Sequence, residues 1–132
     1  MRAGNVEKMS DSDLKAAVAS ELQYLRELGS DADLILATAN LGAYEALLQL
    51  VEAGHDGLPV YSVVTGIQTR YASQSGIINR LRAMRERGLI VDRPGTKKSQ
   101  VCLMPSDGLL EKLGPILTRR YVADRVASQQ WS

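Results

Sequence analysis

Phenylalanine is absent from this 132-residue chain, and cysteine, histidine and tryptophan occur once each. A single cysteine, Cys102, excludes an intramolecular disulfide framework and fits a reducing compartment. His55, in the polar loop "AGHDG", has no second histidine or cysteine with which to build a zinc site, so no metal is expected. It has no nucleophile elbow to serve either, and no glycine-rich phosphate loop of the required spacing occurs; neither an enzyme nor a cofactor is expected. Long hydrophobic runs are also missing. Nothing approaches the ~18 apolar residues of a membrane span, and the opening "MRAGNVEKMSDSD" lacks the apolar centre of a signal peptide. The expectation is a cytoplasmic protein with no membrane partner.

What is present is the composition of one globular domain, 45% hydrophobic and 23% charged, with aliphatic side chains and a few tyrosines to fill the core. The net charge of +1 conceals a segregation. Residues 1–59 carry four basic and ten acidic side chains, whereas residues 60–104 carry eight basic and two acidic ones. Within the basic segment Arg80, Arg82, Arg85, Arg87, Arg93, Lys97 and Lys98 fall in 19 residues, opposed only by Glu86 and Asp92. Such a block points to an anionic partner. The alternative is a solvated face whose arginines pair with Glu86.

Residues 1–10 read as a disordered tail. A helix then starts at Ser10 or Ser12, with Asp11 and Asp13 at the positive end of its dipole. Leu14, Val18, Leu22, Leu25 and Leu28 form its apolar stripe, and Gly29 is the expected C-terminal cap. After "GSDAD" the run "LILATANLGAYEALLQLVEAG" is helical in its second half, with Leu41, Tyr44, Leu47, Leu48 and Val51 on one face. Pro59 opens a short helix whose apolar set is Val60, Val63, Val64 and Ile67. The connector "QTRYA" follows, with Tyr71 read as a core plug, and Ser73 caps the arginine-bearing helix. There Ile77, Leu81 and Met84 share a face within about 60°, Ile78 is expected to pack beside them, and Ser75, Asn79, Arg82 and Glu86 point the other way. Gly76 lowers helix propensity by ~1 kcal/mol; it either loosens the helix or lets the backbone approach a ligand. Gly88 ends the helix. "LIVDR" and "SQVCLM" read as two strands joined by "PGTKK", and a last helix opens at Pro105 and Ser106.

A short helix, a connector, a second helix and a hairpin make a helix-turn-helix with a two-stranded β wing. B-DNA admits one helix into its ~12 Å major groove, where short polar side chains at the helix N-terminus reach base edges. Ser73, Gln74, Ser75 and Asn79 are of that type, and asparagine or glutamine can pair bidentately with adenine. Arg80, Arg82 and Arg93 suit phosphate contacts, and Lys97 and Lys98 at the hairpin tip suit a minor groove or flanking phosphates.

The stretch "SQSGIINRLRAMRERGLIVDRP" followed by "VCLMPSDGLLEKL" resembles the MarR-type winged helix-turn-helix regulators. The family's charged pair and Gly-Leu after the recognition helix correspond to Met84, Arg85, Glu86, Arg87, Gly88 and Leu89. Its start to the long last helix corresponds to Met104, Pro105, Ser106, Asp107 and Gly108. The resemblance extends over residues 13–128. Where the family's wing carries Asp-x-Arg, this chain has Thr96, Lys97 and Lys98, and lysine does not make a bidentate contact.

The resemblance implies a mainly α fold. A single winged-helix domain spans 11–132, with a DNA-binding lobe at about 58–104 and dimerisation helices at about 11–38 and 106–130. The expected function is sequence-specific transcriptional regulation, with repression the commoner outcome, by a homodimer on a pseudo-palindromic operator. The alternative from another class is an interaction module whose basic face binds an acidic protein. The family's aromatic effectors sit between the dimer helices and the lobe; Tyr24, Tyr44 and Tyr61 are the aromatics available here, and no effector is assigned. The stripes Leu14, Val18, Leu22, Leu25 and Leu113, Leu117, Tyr121, Val126 exceed what one small lobe can cover, so a second copy is expected on them; the alternative is that the two helices pack on each other within one chain. Cys102, between Val101 and Leu103, is read as a buried structural residue.

Overall fold

Side-chain caps set most of the helix starts in the computed structural model, which describes residues 10–70, 72–94 and 101–131. Ser10 Oγ accepts the Asp13 N–H at 3.1 Å and opens α1, Asp11–Leu28. Asp31 accepts from Asp33 and Leu34 and opens α2, Ala32–Thr38. Asn40 accepts from Ala43 at 2.9 Å and opens α3, Leu41–Ala53. The first half of the "LILATAN" run is therefore helical too, and Asn40 rather than a composition change divides it from α3. Gly29 does follow α1, but with an ordinary helical φ of −79°.

After a one-turn 3-10 helix, Gly54–Asp56, the chain makes a two-residue strand β1, Leu58–Pro59, and enters α4, Val60–Thr65. Helix α5 spans Gln74–Glu86, strands β2 and β3 span Ile90–Pro94 and Val101–Pro105, and α6 spans Asp107–Trp131. The sheet has three strands in the order β1-β3-β2, all antiparallel, rather than the two expected from sequence. Leu58 pairs with Leu103 and Pro59 with Cys102, so β3 is central and the wing is sewn to the entrance of the helix-turn-helix. Gly57 makes this approach possible. Its φ is +69°, and a Cβ there would stand 2.9 Å from the Leu103 carbonyl oxygen.

One core joins these elements. Leu47 and Leu50 of α3, Val63 of α4, Ile77, Leu81 and Met84 of α5, Ile90 and Leu103 of the sheet, and Leu109 and Leu113 of α6 are fully or almost fully buried. Cys102 is buried beside them in β3. The buried face of α3 is not the leucine stripe. Gly42, Ala43, Ala46, Leu47 and Leu50 face inward, while Leu41 is 71% exposed and Leu48 is also exposed. Small residues sit where helices come closest, so counting large apolar side chains turned this helix by about one position. In α4 only Val63 is buried; Val60 is exposed and Val64 partly covered, while Ile67, also partly covered, falls beyond the end of the helix.

The terminal helices meet along a polar seam. Arg119 pairs with Glu27, Arg120 pairs with Glu21 at 2.9 Å, and the Arg120 guanidinium lies 4.0 Å from the centre of the Tyr24 ring. Leu14, Val18, Leu22 and Leu25 remain 40–54% exposed on α1, and Tyr121 and Val122 remain exposed on α6. Leu113 and Leu117, by contrast, belong to the core or pack against it. The Val126 side chain lies outside the described residues.

Candidate nucleic-acid interface

The helix that carries the polar residues is held at its first turn by its own cap. Ser73 Oγ accepts the Gly76 N–H at 3.0 Å, and a Cβ on Gly76 would stand 2.7 Å from that oxygen. Gly76 thus makes room for the capping hydroxyl, a third role besides the two weighed from sequence. At the other end Gly88 adopts φ +75°, and its N–H and that of Leu89 return to the Arg85 and Met84 carbonyls.

Burying Ile77, Leu81 and Met84 turns Ser75, Asn79, Arg82 and Glu86 outward, as the sequence spacing requires, and Ser73 and Gln74 are exposed at the free N-terminal end of the helix. Asn79 and Arg82 act as a pair, since Arg82 Nη1 donates to Asn79 Oδ1 at 3.2 Å. Ile78 does not pack in the core. It is 36% exposed, one turn beyond Gln74 on the same side of the helix. Arg80 is half-buried, and at 100° per residue it flanks the apolar side rather than the face that bears Asn79. Lys97 and Lys98 at the wing tip, like Tyr71 in the connector, lie outside the described residues.

The remaining basic residues have acidic partners other than Glu86. Arg85 bonds Asp92 at 2.6 Å, and Arg93 approaches Asp56 at 3.9 Å. Arg87 donates to Asp33 at 2.8 Å, and Lys112 reaches both Asp31 and Asp33, at 2.9 and 3.0 Å. Lys112, with Arg87 at Asp33, holds these two carboxyls below the ordinary carboxylate range, and they in turn raise the Lys112 ammonium. Part of the basic block thus meets the acidic N-terminal half of the same chain. Arg82 keeps a neutral partner and remains on the outward face.

Sequence reasoning missed the support beneath this helix. Gly42, Glu45 and Gln49 lie along one side of α3 and meet the connector in succession. A Cβ on Gly42 would be 2.8 Å from Ala72 Cβ and 3.1 Å from Ile77. Glu45 accepts the Gln68 and Thr69 N–H groups, each at 2.8 Å, together with the Thr69 hydroxyl. Gln49 lies against Gly66, where a Cβ would be 2.6 Å from its Oε1. The available signal was a lone acid in the apolar run "LGAYEALLQL".

The Thr69 hydroxyl, followed by the backbone N–H groups, lowers the Glu45 carboxyl below its usual 4.5. A carboxyl depressed by folding contributes stability that is complete above its unfolded value and is lost as pH falls through the folded one. The melting temperature of the wild type should therefore exceed that of Glu45→Gln near neutral pH, and the gap should close progressively below pH 4.5. A gap independent of pH down to acid unfolding would show that the ionised carboxylate is not what holds the turn.

A concavity lies between the terminal helices. A cavity of about 260 Å³ is lined by Ser20, Gln23, Tyr24, Glu27, Ile116, Arg119 and Arg120. The Tyr24 and Tyr44 hydroxyls hydrogen-bond at 2.9 Å at this level, and burial raises the Tyr44 phenol well above its ordinary value. Tyr61 is not part of the cavity; it is 79% exposed on α4. Among the described residues no single helix is long and apolar enough to cross a membrane.

A capped helix on a short connector, followed by an antiparallel wing and flanked by long terminal helices, is a winged helix-turn-helix fold. Among solved structures, a point mutant of S. aureus MepR superposes with a TM-score of 0.56 at 14% identity, over 94% of this chain and 86% of that one. The organohalide-sensing transcriptional regulator RdhR, in its ligand-free form, aligns with a TM-score of 0.49 at 19% identity, over 95% of this chain and 70% of that one. No family model matches the sequence, and no curated protein does.

Proposed function

We propose that the protein is a DNA-binding transcriptional regulator that occupies a pseudo-palindromic operator as a homodimer, with repression as the outcome. The observation that carries this reading is the outward face of α5. Gln74, Ser75, Asn79 and Arg82 stand exposed on a helix whose other side is locked into the core. Gln74 and Asn79 offer donors and acceptors to base edges, and Ile78 offers an apolar contact to a thymine methyl. Arg82, with Arg93 and the wing lysines Lys97 and Lys98, supplies phosphate contacts that place the helix without reading sequence. Arg80, on the flank of α5, reaches a phosphate only at the edge of the groove. The likeness to MepR, a MarR-type regulator, supports the reading at the level of fold.

The exposed stripe of α1 supports the dimer. A two-fold axis through Leu14, Val18, Leu22 and Leu25 would remove that stripe from water and present two copies of α5 to half-sites ~34 Å apart.

Mobility shift against random duplex at several salt concentrations tests DNA binding, because a DNA binder shows salt-sensitive nonspecific affinity. A protein that bound no duplex but captured an acidic polypeptide would be an interaction module instead. On a duplex selected from a random pool, Asn79→Ala should cost ~1–3 kcal/mol and relax preference at one position per half-site. Its affinity for random DNA should barely change. Equal losses on both would move Asn79 to the backbone contacts.

A further inference from the structure

We infer that Glu45, which does not lie on the DNA-facing helix, is a positioning residue for sequence reading, acting as the clamp that sets the angle at which α5 leaves the helix-turn-helix connector. The inference rests on the DNA-binding reading above. The Gly66 and Ile67 N–H groups turn back to Ser62 and Val64. The next two N–H groups, of Gln68 and Thr69, both go to the Glu45 carboxylate, which also takes the Thr69 hydroxyl. One turn earlier on the same side of α3, Gly42 abuts Ala72 and Ile77 at the start of α5; one turn later, Gln49 abuts Gly66 at the end of α4.

The connector is therefore gripped at its two ends by shape and at its middle by charge. The two shape contacts permit sliding along α3, because neither is directional. The carboxylate is directional: three donors converge on two oxygens, which fixes both the height and the rotation of the connector. A rotation of α5 about this point moves Gln74 and Asn79 relative to base edges far more than it changes the number of phosphates near the protein. Loss of the clamp should thus erode the preference for the right sequence before it erodes general attraction to DNA.

The test uses the full chain and two probes, the duplex selected from a random pool by the wild type and the unselected pool itself. Glu45→Gln puts an amide nitrogen where one oxygen accepts, so donor faces donor. It should lower affinity for the selected duplex about tenfold, while affinity for the pool and the log–log salt slope stay within about twofold. Thr69→Val should act in the same direction, Thr69→Ser should retain wild-type preference, and Glu45→Gln combined with Thr69→Val should fall short of the sum of the single effects. Thermal melts at the same pH establish that each variant is folded at the binding temperature. Equal loss on both probes, or an unchanged ratio between them, would overturn the clamp. A variant too unstable to fold would do the same, since it makes Glu45 a stability residue. A wild type that binds neither probe would instead remove the DNA-binding reading, and the clamp with it.

Discussion

Leu22→Asp is expected to convert the protein to a folded monomer and to abolish operator affinity without touching α5. Leu22 sits in the middle of a stripe, Leu14 to Leu25, that stays 40–54% exposed. In the isolated chain the new carboxylate would face water, so folding should be unaffected. In the proposed dimer it would be buried without a partner, at a cost of ~3 kcal/mol or more. That corresponds to about a hundredfold rise in the dimer dissociation constant. Leu117 is a poorer probe, because it packs against the core of its own chain. Sedimentation at micromolar concentration reads the outcome directly, and a mobility shift reads its effect on DNA. A wild type that sediments as a monomer and still binds a single half-site would overturn the dimeric mechanism.

Gly42→Ala should lower the melting temperature by roughly 4–8 °C. Gly42 is buried in the first turn of α3, and a methyl there would sit 2.8 Å from Ala72 Cβ, a group with no rotamer to yield. Overpacking of this kind costs ~1–3 kcal/mol. Replacing glycine by alanine inside a helix returns about 0.5–1 kcal/mol of backbone entropy. The steric term wins by ~1–2 kcal/mol, and a domain of this size loses roughly 4 °C for each. The second substitution Ala72→Gly removes the opposing methyl, so the double variant should recover part of the loss. A melting temperature at or above that of the wild type in the single variant would mean that α3 and α5 can separate freely at this point.

Helix α5 was legible because its signals are local. Ser73 caps it, Ile77, Leu81 and Met84 recur at helical spacing, and Gly88 ends it in a conformation that favours glycine. The wing was legible for the same reason, as two alternating runs. β1 was not, because two residues carry no period and Leu58–Pro59 is a strand only by virtue of Leu103 and Cys102 opposite. The orientation of α3 was misread where alanine and glycine, rather than leucine, mark the closest contacts. Ile78 was misread because an apolar residue next to an apolar stripe does not have to join it. Glu45, and the ion pairs of Arg87 and Lys112 with Asp33, depend on partners far along the chain. A lone acid in an apolar run marks Glu45 as unusual, but its partners, like those of Asp33, lie beyond any local window.

The pairing of Leu58 with Leu103 has a mechanical consequence. It closes a ring in the chain, and α4, the connector, α5 and β2 all lie inside that ring. The two strands through which the ring is entered and left run side by side and antiparallel, so a displacement imposed at one reaches the other at once. The pairing thus couples the entrance of α4 to β2 through β3. A swing of α5 together with its ring would pivot outside residues 58–103, where the ring meets α3 on one side and α6 on the other.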